Sequence, residues 1–437
     1  MNRASALRDA IGASELVEFS GRVAGVTQGA IIATGPLSAI GDICRVGDDN
    51  DAVLAEVVAV DSSTVRLIAL GSSKNVQPGT IVRRSGSHST FRSGDDFAGR
   101  AVDAFGHAID SGPAVAGRVH RPESKTGVLS KTIVPRRIVT GFRAIDALLP
   151  VAEGQRIGIF AASGVGKTTL IEQLSLHVSC DHIVVCLIGE RGREVERLWR
   201  LHQESERSDR STIVAATSDE SASARVRALY QALALCEAWR DAGRHVILFV
   251  DSITRFAMAQ REIGLAAGEP PSVRSYTPSV FAALPGIVER CGAVKGRGAI
   301  TAILTVLSET DDVDDPIVET MKAILDGHIV LSRKLAEKGR FPAIDIAASV
   351  SRVSDQVLDP ATRKAAQLLR RHFAEYEEAR AMIESGIYQP GSSTEIDRAV
   401  ALQPLIAEFL QQHKPDMRDP AGTDKSLLQL VGTGAQG

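Results

Sequence analysis

Aromatic residues are scarce in this sequence: they make up 4% of 437 positions, and residues 1–88 contain only Phe19. A surface that binds single-stranded nucleic acid needs several stacking rings on a basic groove, so an N-terminal RNA-binding module is disfavoured. Excess charge is also lacking. The net charge of −3 gives no global attraction to a polyanion, although local basic patches are not excluded. The five cysteines, Cys44, Cys180, Cys186, Cys236 and Cys291, are odd in number and scattered. That pattern fits reduced thiols and offers neither a disulfide framework nor a zinc-type spacing. The longest apolar runs, 183–188, 246–250 and 299–307, fall well short of the ~20 residues that span a bilayer, so no transmembrane helix is expected. Residues 1–20 mix acids with bases and lack an apolar signal core, and the expected location is the cytoplasm.

What is present describes a globular protein of several domains. Hydrophobic residues form 44% and charged residues 24% of the chain, and the length suggests about three domains. Residues 1–17 carry Leu7, Ile11 and Leu16, which suit either a short amphipathic helix or a frayed terminus. Over 18–88, β-branched runs alternate with Gly, Asp, Asn and Ser turns. Within 52–71, Asp61-Ser62-Ser63 separates two apolar runs as a hairpin does. A small β-barrel is predicted there. From 89 to 355 the pattern becomes α/β, with buried strands at 157–160, 183–188, 213–216, 246–250 and 299–307, as a parallel sheet covered on both faces requires. Residues 356–437 read as helical. Asp359-Pro360 start a helix carrying Leu369, Phe373, Tyr376 and Ile383 and ending at Gly386. A second helix spans 394–413, bent or split at Pro404, and the tail beyond Pro415 is expected to be loosely held.

The strongest chemical signal is Ala161-Ala162-Ser163-Gly164-Val165-Gly166-Lys167-Thr168, between a strand and an apolar-periodic helix. Glycines at 164 and 166 allow successive backbone N–H groups to curl around phosphate oxygens, and Lys167 adds a cation for the outer phosphates. The Thr168 hydroxyl suits Mg²⁺. The first motif position is Ala161 in place of glycine, which leaves the cradle glycines intact. The predicted nucleotide-binding stretch is Ala162, Ser163, Gly164, Val165, Gly166, Lys167, Thr168 and Thr169. A P-loop also needs a metal-site acid, and Asp251 ends the strand at 246–250, where open α/β sheets bind ligands. Glu190, just beyond the strand at 183–188, is the candidate base that orients water, with the flanking arginines, Arg191 among them, able to balance phosphoryl charge. A solvated ion-pair cluster at a helix start is the bland alternative. Arg352 follows an apolar strand at 344–350. On spacing alone it serves equally as an arginine reaching a neighbouring subunit's phosphate or as a surface ion pair.

The segments GIFAASGVGKTTL, LIGERGREV, ILFVDSITRFAMAQREIG, GEPPSVRSYTPSVFAALP, DDVDDPI, ILDGHIVLSR and FPAIDIAASVSRV, with GRAVDAFGHAID at 99–110, resemble the flagellar protein-export ATPases (flagellum-specific ATP synthases) and their injectisome relatives. The match is dense over 99–352. The resemblance implies a RecA-like P-loop core with an N-terminal small β-barrel and a C-terminal helical domain, as in rotary ATP synthase α and β subunits. It implies phosphate and magnesium contacts at Lys167 and Thr168, a catalytic glutamate at Glu190, a phosphate contact at Arg191, the Walker B acid at Asp251 and a trans-acting finger at Arg352. Phe341 falls where the family stacks an aromatic on adenine, and 268–281 where it places a loop toward a hexamer's centre. Ala162 departs from the family's usual glycine and stiffens the loop without abolishing binding.

The implied function is hydrolysis of ATP with Mg²⁺ by a homohexamer that assists delivery and unfolding of flagellar export substrates. Implied partners are a regulatory stator-like protein, export chaperones and substrates, the membrane export gate and a stalk protein. Nucleic acid is not among them. The implied place is the cytoplasmic face of the inner membrane, with peripheral association open. An injectisome ATPase shares every motif. A rotary synthase subunit, an RNA motor and a catalytically silent nucleotide-binding subunit are the remaining readings, and the presence of Glu190 argues against the last.

Overall fold

The structure, a computed structural model, describes residues 19–27, 29–48, 52–71, 75–87, 90–120, 127–132, 134–307, 315–416 and 420–433. The expected N-terminal segment 1–17 and most of the DDVDDPI motif lie outside them. Period-2 alternation in the first module folds into strands β1 (Ser20–Val26), β2 (Ile31–Ala33), β3 (Asp42–Val46), β4 (Val53–Val60), β5 (Val65–Ala69) and β6 (Ile81–Ser87). They close into a barrel in the order β1-β2-β5-β4-β3-β6. The hairpin expected within 52–71 is β4–β5, with Val60 paired to Val65 and Asp61 N donating to Thr64 O at 2.8 Å. Ile31, Cys44, Val57, Leu67 and Val82 fill the barrel interior.

The barrel meets the next domain through a hydrogen bond from Arg66 and through the attraction of Arg227 for Glu56 of β4. Arg66 of β5 donates through Nη1 to Ala266 O at 3.2 Å, at the C-terminal end of the helix Ile253–Ala267. That placement of a cation favours both the orphan carbonyls and the helix dipole. Arg227, on the helix Ala222–Asp241, lies over the rings of Phe91 and Phe105 at 4.8 and 5.2 Å from their centroids. Burial beside it pushes the Glu56 carboxyl of β4 up to about 7.

The core is a ten-stranded sheet. Its main path runs Ile344–Ser351, Gly327–Leu331, Arg156–Ala161, Ala299–Leu307, His245–Asp251, His182–Glu190, Ser211–Thr217 and Ala101–Val102. Every pairing along it is parallel except that of the edge strand Ile344–Ser351, which runs antiparallel to Gly327–Leu331. The continuous apolar runs follow from burial on both faces. In His182–Glu190, for example, Val184, Cys186 and Ile188 enter one core cluster, while Ile183, Val185 and Leu187 enter the other. Parallel pairing brings the C-terminal ends of the central strands to one edge, where the P-loop, Glu190 and Asp251 emerge.

In the C-terminal domain, Asp359 Oδ1 accepts from Ala361 N and Thr362 N at 3.0 and 3.1 Å, starting the helix Pro360–Glu384. The helix Thr394–Leu410 passes through Pro404 unsplit and ends short of the expected position 413. Pro404 lies on the exposed face, where the carbonyl left without an N–H partner by proline can be solvated. The tail is not loosely held through its described length. Pro420–Thr433 is a helix whose Leu427 is fully buried, and Asp424 forms a bidentate pair with Arg137 at 3.0 Å for both contacts. Among the described residues, no helix is long and apolar enough to cross a membrane.

Removing the Leu427 side chain should leave a cavity under the last helix. Leu427→Ala is expected to lose ~2–5 kcal/mol of stability in thermal or urea unfolding. A loss under about 0.5 kcal/mol would show that the helix contributes no packing.

Candidate active site

The strand Arg156–Ala161 enters the loop at 162–166, and the helix Lys167–His177 leaves it. Val165 and Ala162 are buried in the apolar cluster that also holds Leu170, so their side chains anchor the loop from below. Gly164 and Gly166 have φ of 81° and 90°, a left-handed geometry that a Cβ penalises. Gly166 is the N-cap of the helix, and the first-turn amides beyond it carry the positive end of the dipole. Ser163, Thr168 and Thr169 are exposed on the open side of the loop. The loop therefore offers backbone donors and hydroxyls outward and apolar side chains inward, which is the arrangement an anion needs.

Lys167 forms an ion pair with Asp251, the last residue of its strand. Thr305, on the intervening strand Ala299–Leu307, donates its hydroxyl to the same Asp251 Oδ1 at 2.8 Å. Thr168 and Asp251 supply the hard oxygens that Mg²⁺ takes when phosphates fill most of its shell. The donor set fits that ion.

Glu190 ends the strand His182–Glu190 after a register shift beyond Ile188. Gly189 has φ of 67°, and a Cβ there would stand 3.0 Å from Arg255 Cδ. Glu190 is only 8% exposed. Burial, aided by a hydrogen bond that the protonated carboxyl donates to Glu194 and by the Asp251 charge, pushes its carboxyl up to about 7 against the pull of Lys167 and Arg255. Arg255 Nε lies 3.2 Å from Glu190 Oε1. Sequence reasoning missed Arg255. Its signal was its position four residues after Asp251, in the first turn of a helix whose cap Ser252 accepts from Arg255 N at 3.3 Å. Arg191 is exposed at the N-cap of the helix Gly192–Gln203.

On the other side of the loop, Phe341 closes a cavity of about 270 Å³ with Val165, Gly166, Thr169 and Gln412 among its walls. A Cβ on Gly166 would lie 3.4 Å from the Phe341 ring. Gln412 was also missed. It reaches over from the C-terminal domain, with its N donating to Phe341 O at 2.8 Å and its Nε2 to Gly141 O at 2.7 Å. The structure thus brings together Lys167, Thr168, Asp251 and Glu190, with Arg191 beside Glu190 and Phe341 across the loop. It does not bring Arg352 to them. The antiparallel edge strand carries Arg352 to the opposite end of the sheet, about 20 Å away by strand rise, where it is exposed.

The geometry can be compared with known proteins. Family models match residues 16–86 (ATP synthase alpha/beta family, beta-barrel domain), 141–351 (the nucleotide-binding domain of the same family) and 358–431 (T3SS EscN ATPase C-terminal domain). The flagellum-specific ATP synthase of Treponema pallidum is 42% identical over 96% of this chain and 94% of its own. The type 3 secretion system ATPase of Pseudomonas savastanoi pv. phaseolicola is 41% identical over 95% of this chain and 94% of its own. The assembled ATPase EscN of the enteropathogenic E. coli type III secretion system superimposes with a TM-score of 0.89 at 37% identity, over 94% of this chain and all of that one. EscN in complex with its central stalk EscO gives 0.85 at the same identity and coverage of this chain.

The raised carboxyl of Glu190 has a consequence for stability. The folded chain keeps that proton to about 7, whereas the ordinary value is 4.5. Unfolding therefore releases a proton between these values, and stability falls as pH rises through the window. Glu190→Gln lacks this term. Its melting temperature relative to the parent should be nearly unchanged near about pH 5 and increasingly higher toward about pH 8. A pH-independent difference would refute the assignment.

Proposed function

The chain belongs to the flagellum-specific ATP synthase and type III secretion ATPase family, within the ATP synthase alpha/beta group, and we propose that it is the ATPase of a flagellar protein-export apparatus. It is an ATP hydrolase. In this reading it works with Mg²⁺ as a homohexamer at the cytoplasmic face of the inner membrane and assists delivery and unfolding of export substrates. The observation that carries the reading is the convergence of a P-loop, Asp251 and the buried Glu190 at one sheet edge, with Arg352 exposed at the other.

Each residue has one task in the mechanism. The loop amides and Lys167 grip the β- and γ-phosphates, with Lys167 exchanging its pair with Asp251 for phosphate oxygens. Thr168 and Asp251 would hold Mg²⁺, which supplies neutralisation of phosphate charge. Glu190, poised near neutrality, orients a water and takes its proton as the water oxygen bonds to the γ-phosphorus and the bridging oxygen leaves with ADP. Arg191 and Arg352 of the adjacent protomer balance the charge spread over the transferred phosphoryl. Phe341 stacks on adenine. Because Arg352 lies at the far end of its own sheet, its contribution is made in trans, and turnover depends on assembly. The stalk complex of EscN supports an analogous stalk partner here. A stator-like regulator, export chaperones with their substrates and the export gate complete the set.

Glu190→Gln should bind ATP within about 3-fold of the parent while kcat falls by at least ~10², and full turnover in that variant would remove Glu190 as the base. Turnover per subunit should rise with protein concentration as hexamers form, so a strictly monomeric sample working at the hexamer's rate would exclude the trans mechanism. In cells, a deletion strain should lose motility and retain effector secretion. Loss of effector secretion with intact motility would move the protein to the injectisome branch.

A further inference from the structure

The far end of the sheet, where Arg352 emerges, is built around Asp326. Its carboxylate accepts from Arg156 Nε at 2.9 Å, from Arg156 Nη2 at 3.0 Å and from the Arg156 backbone N at 3.0 Å. Its own carbonyl accepts from Arg352 N at 3.1 Å. The next residue, Gly327, permits a close approach of the edge strand. A Cβ there would lie 2.6 Å from Val350 O and 3.2 Å from Ser351 Cα. Arg156 is also held through Nη1 by Glu289 Oε1 at 3.0 Å. It is the first residue of the very strand that ends in the P-loop.

By contrast, the Arg352 side chain is exposed, and its Nη2 lies 3.5 Å from Lys322 O. A long cation of this kind loses rotamer entropy when it is placed, so a rigid base under it lowers the cost of each encounter. Arg156, Asp326, Arg352, Val353 and Gln356 line one cleft of about 500 Å³. Two guanidinium groups in that cleft repel unless one is neutralised. The bidentate pairing with Asp326 neutralises Arg156 and leaves Arg352 as the cation available to a partner.

We infer that Asp326, clamped by Arg156, is a positioning residue that presents Arg352 to the nucleotide of the neighbouring protomer. The inference rests on the trans role of Arg352 proposed above. It makes a directional demand: the clamp matters in the subunit that donates the arginine and not in the subunit that receives it. A general structural role has no such direction.

The test uses co-expressed mixed hexamers. An acceptor subunit carries Arg352→Ala with Glu190 intact, and a donor carries Glu190→Gln with Arg352 intact. This parental mixture should hydrolyse ATP where each homohexamer is nearly inactive. Adding Asp326→Asn to the donor should lower kcat of the mixture ~10- to 100-fold with KM for ATP unchanged, whereas adding it to the acceptor should leave the rate within about 2-fold. Arg156→Lys keeps the charge but loses the fork, and it should follow the same donor-only pattern. Equal losses in both arms, no loss in the donor arm, or dissociation of the hexamer on sedimentation overturns the positioning role and leaves the trans reading standing. An inactive parental mixture overturns both.

Discussion

The attraction between Lys167 and Asp251 ties the nucleotide loop to the acid that ends a strand two places along the sheet. The strand between them contributes Thr305, whose hydroxyl fixes the Asp251 oxygen that Lys167 also holds. In the proposed mechanism this largely buried cation and anion each exchange the other for a phosphate or a metal. Parallel pairing makes the meeting possible. Only when all central strands point the same way do a glycine-rich loop, an aspartate and a glutamate arrive at one edge with no long side chain needed to bridge them.

That edge is kept at some expense to stability. Gly164, Gly166 and Gly189 all occupy left-handed backbone geometry, and Glu190 is buried as a carboxyl that resists ionisation. Arg255 partly compensates Glu190, and the missing side chain at Gly189 leaves that arginine the room it occupies. Perturbed groups of this kind collect at functional sites because the surrounding core is stiff enough to maintain them. Here the stiffness comes from the two apolar clusters that sandwich the sheet.

Much of this was readable beforehand, for physical reasons that differ from one element to the next. Strands buried on both faces, such as 183–188 and 246–250, declare themselves as continuous apolar runs. The P-loop declares itself by glycine spacing between a strand and a helix. Arg255 was opaque because one arginine in a helical turn looks like any solvated charge until a buried carboxylate is found beside it. Gln412 and the helix Pro420–Thr433 were opaque because their partners, Gly141 and Arg137, lie over 270 residues away in the chain, and no local pattern encodes such a distance. The orientation of the edge strand was hidden as well. The sequence names Arg352 as a candidate, yet only the antiparallel turn-back from Gly327–Leu331 to Ile344–Ser351 shows that it faces away from its own loop.

The closure of the N-terminal barrel limits how copies of this protein can meet at that end. With β1 paired to both β2 and β6, the described strands form a closed ring with no edge strand to extend. In the assembly proposed above, the described barrel strands would therefore meet their neighbours by side chains and loops and not by adding a strand. Contacts of that kind would let the barrels of a proposed hexamer lie side by side without zipping into a continuous sheet.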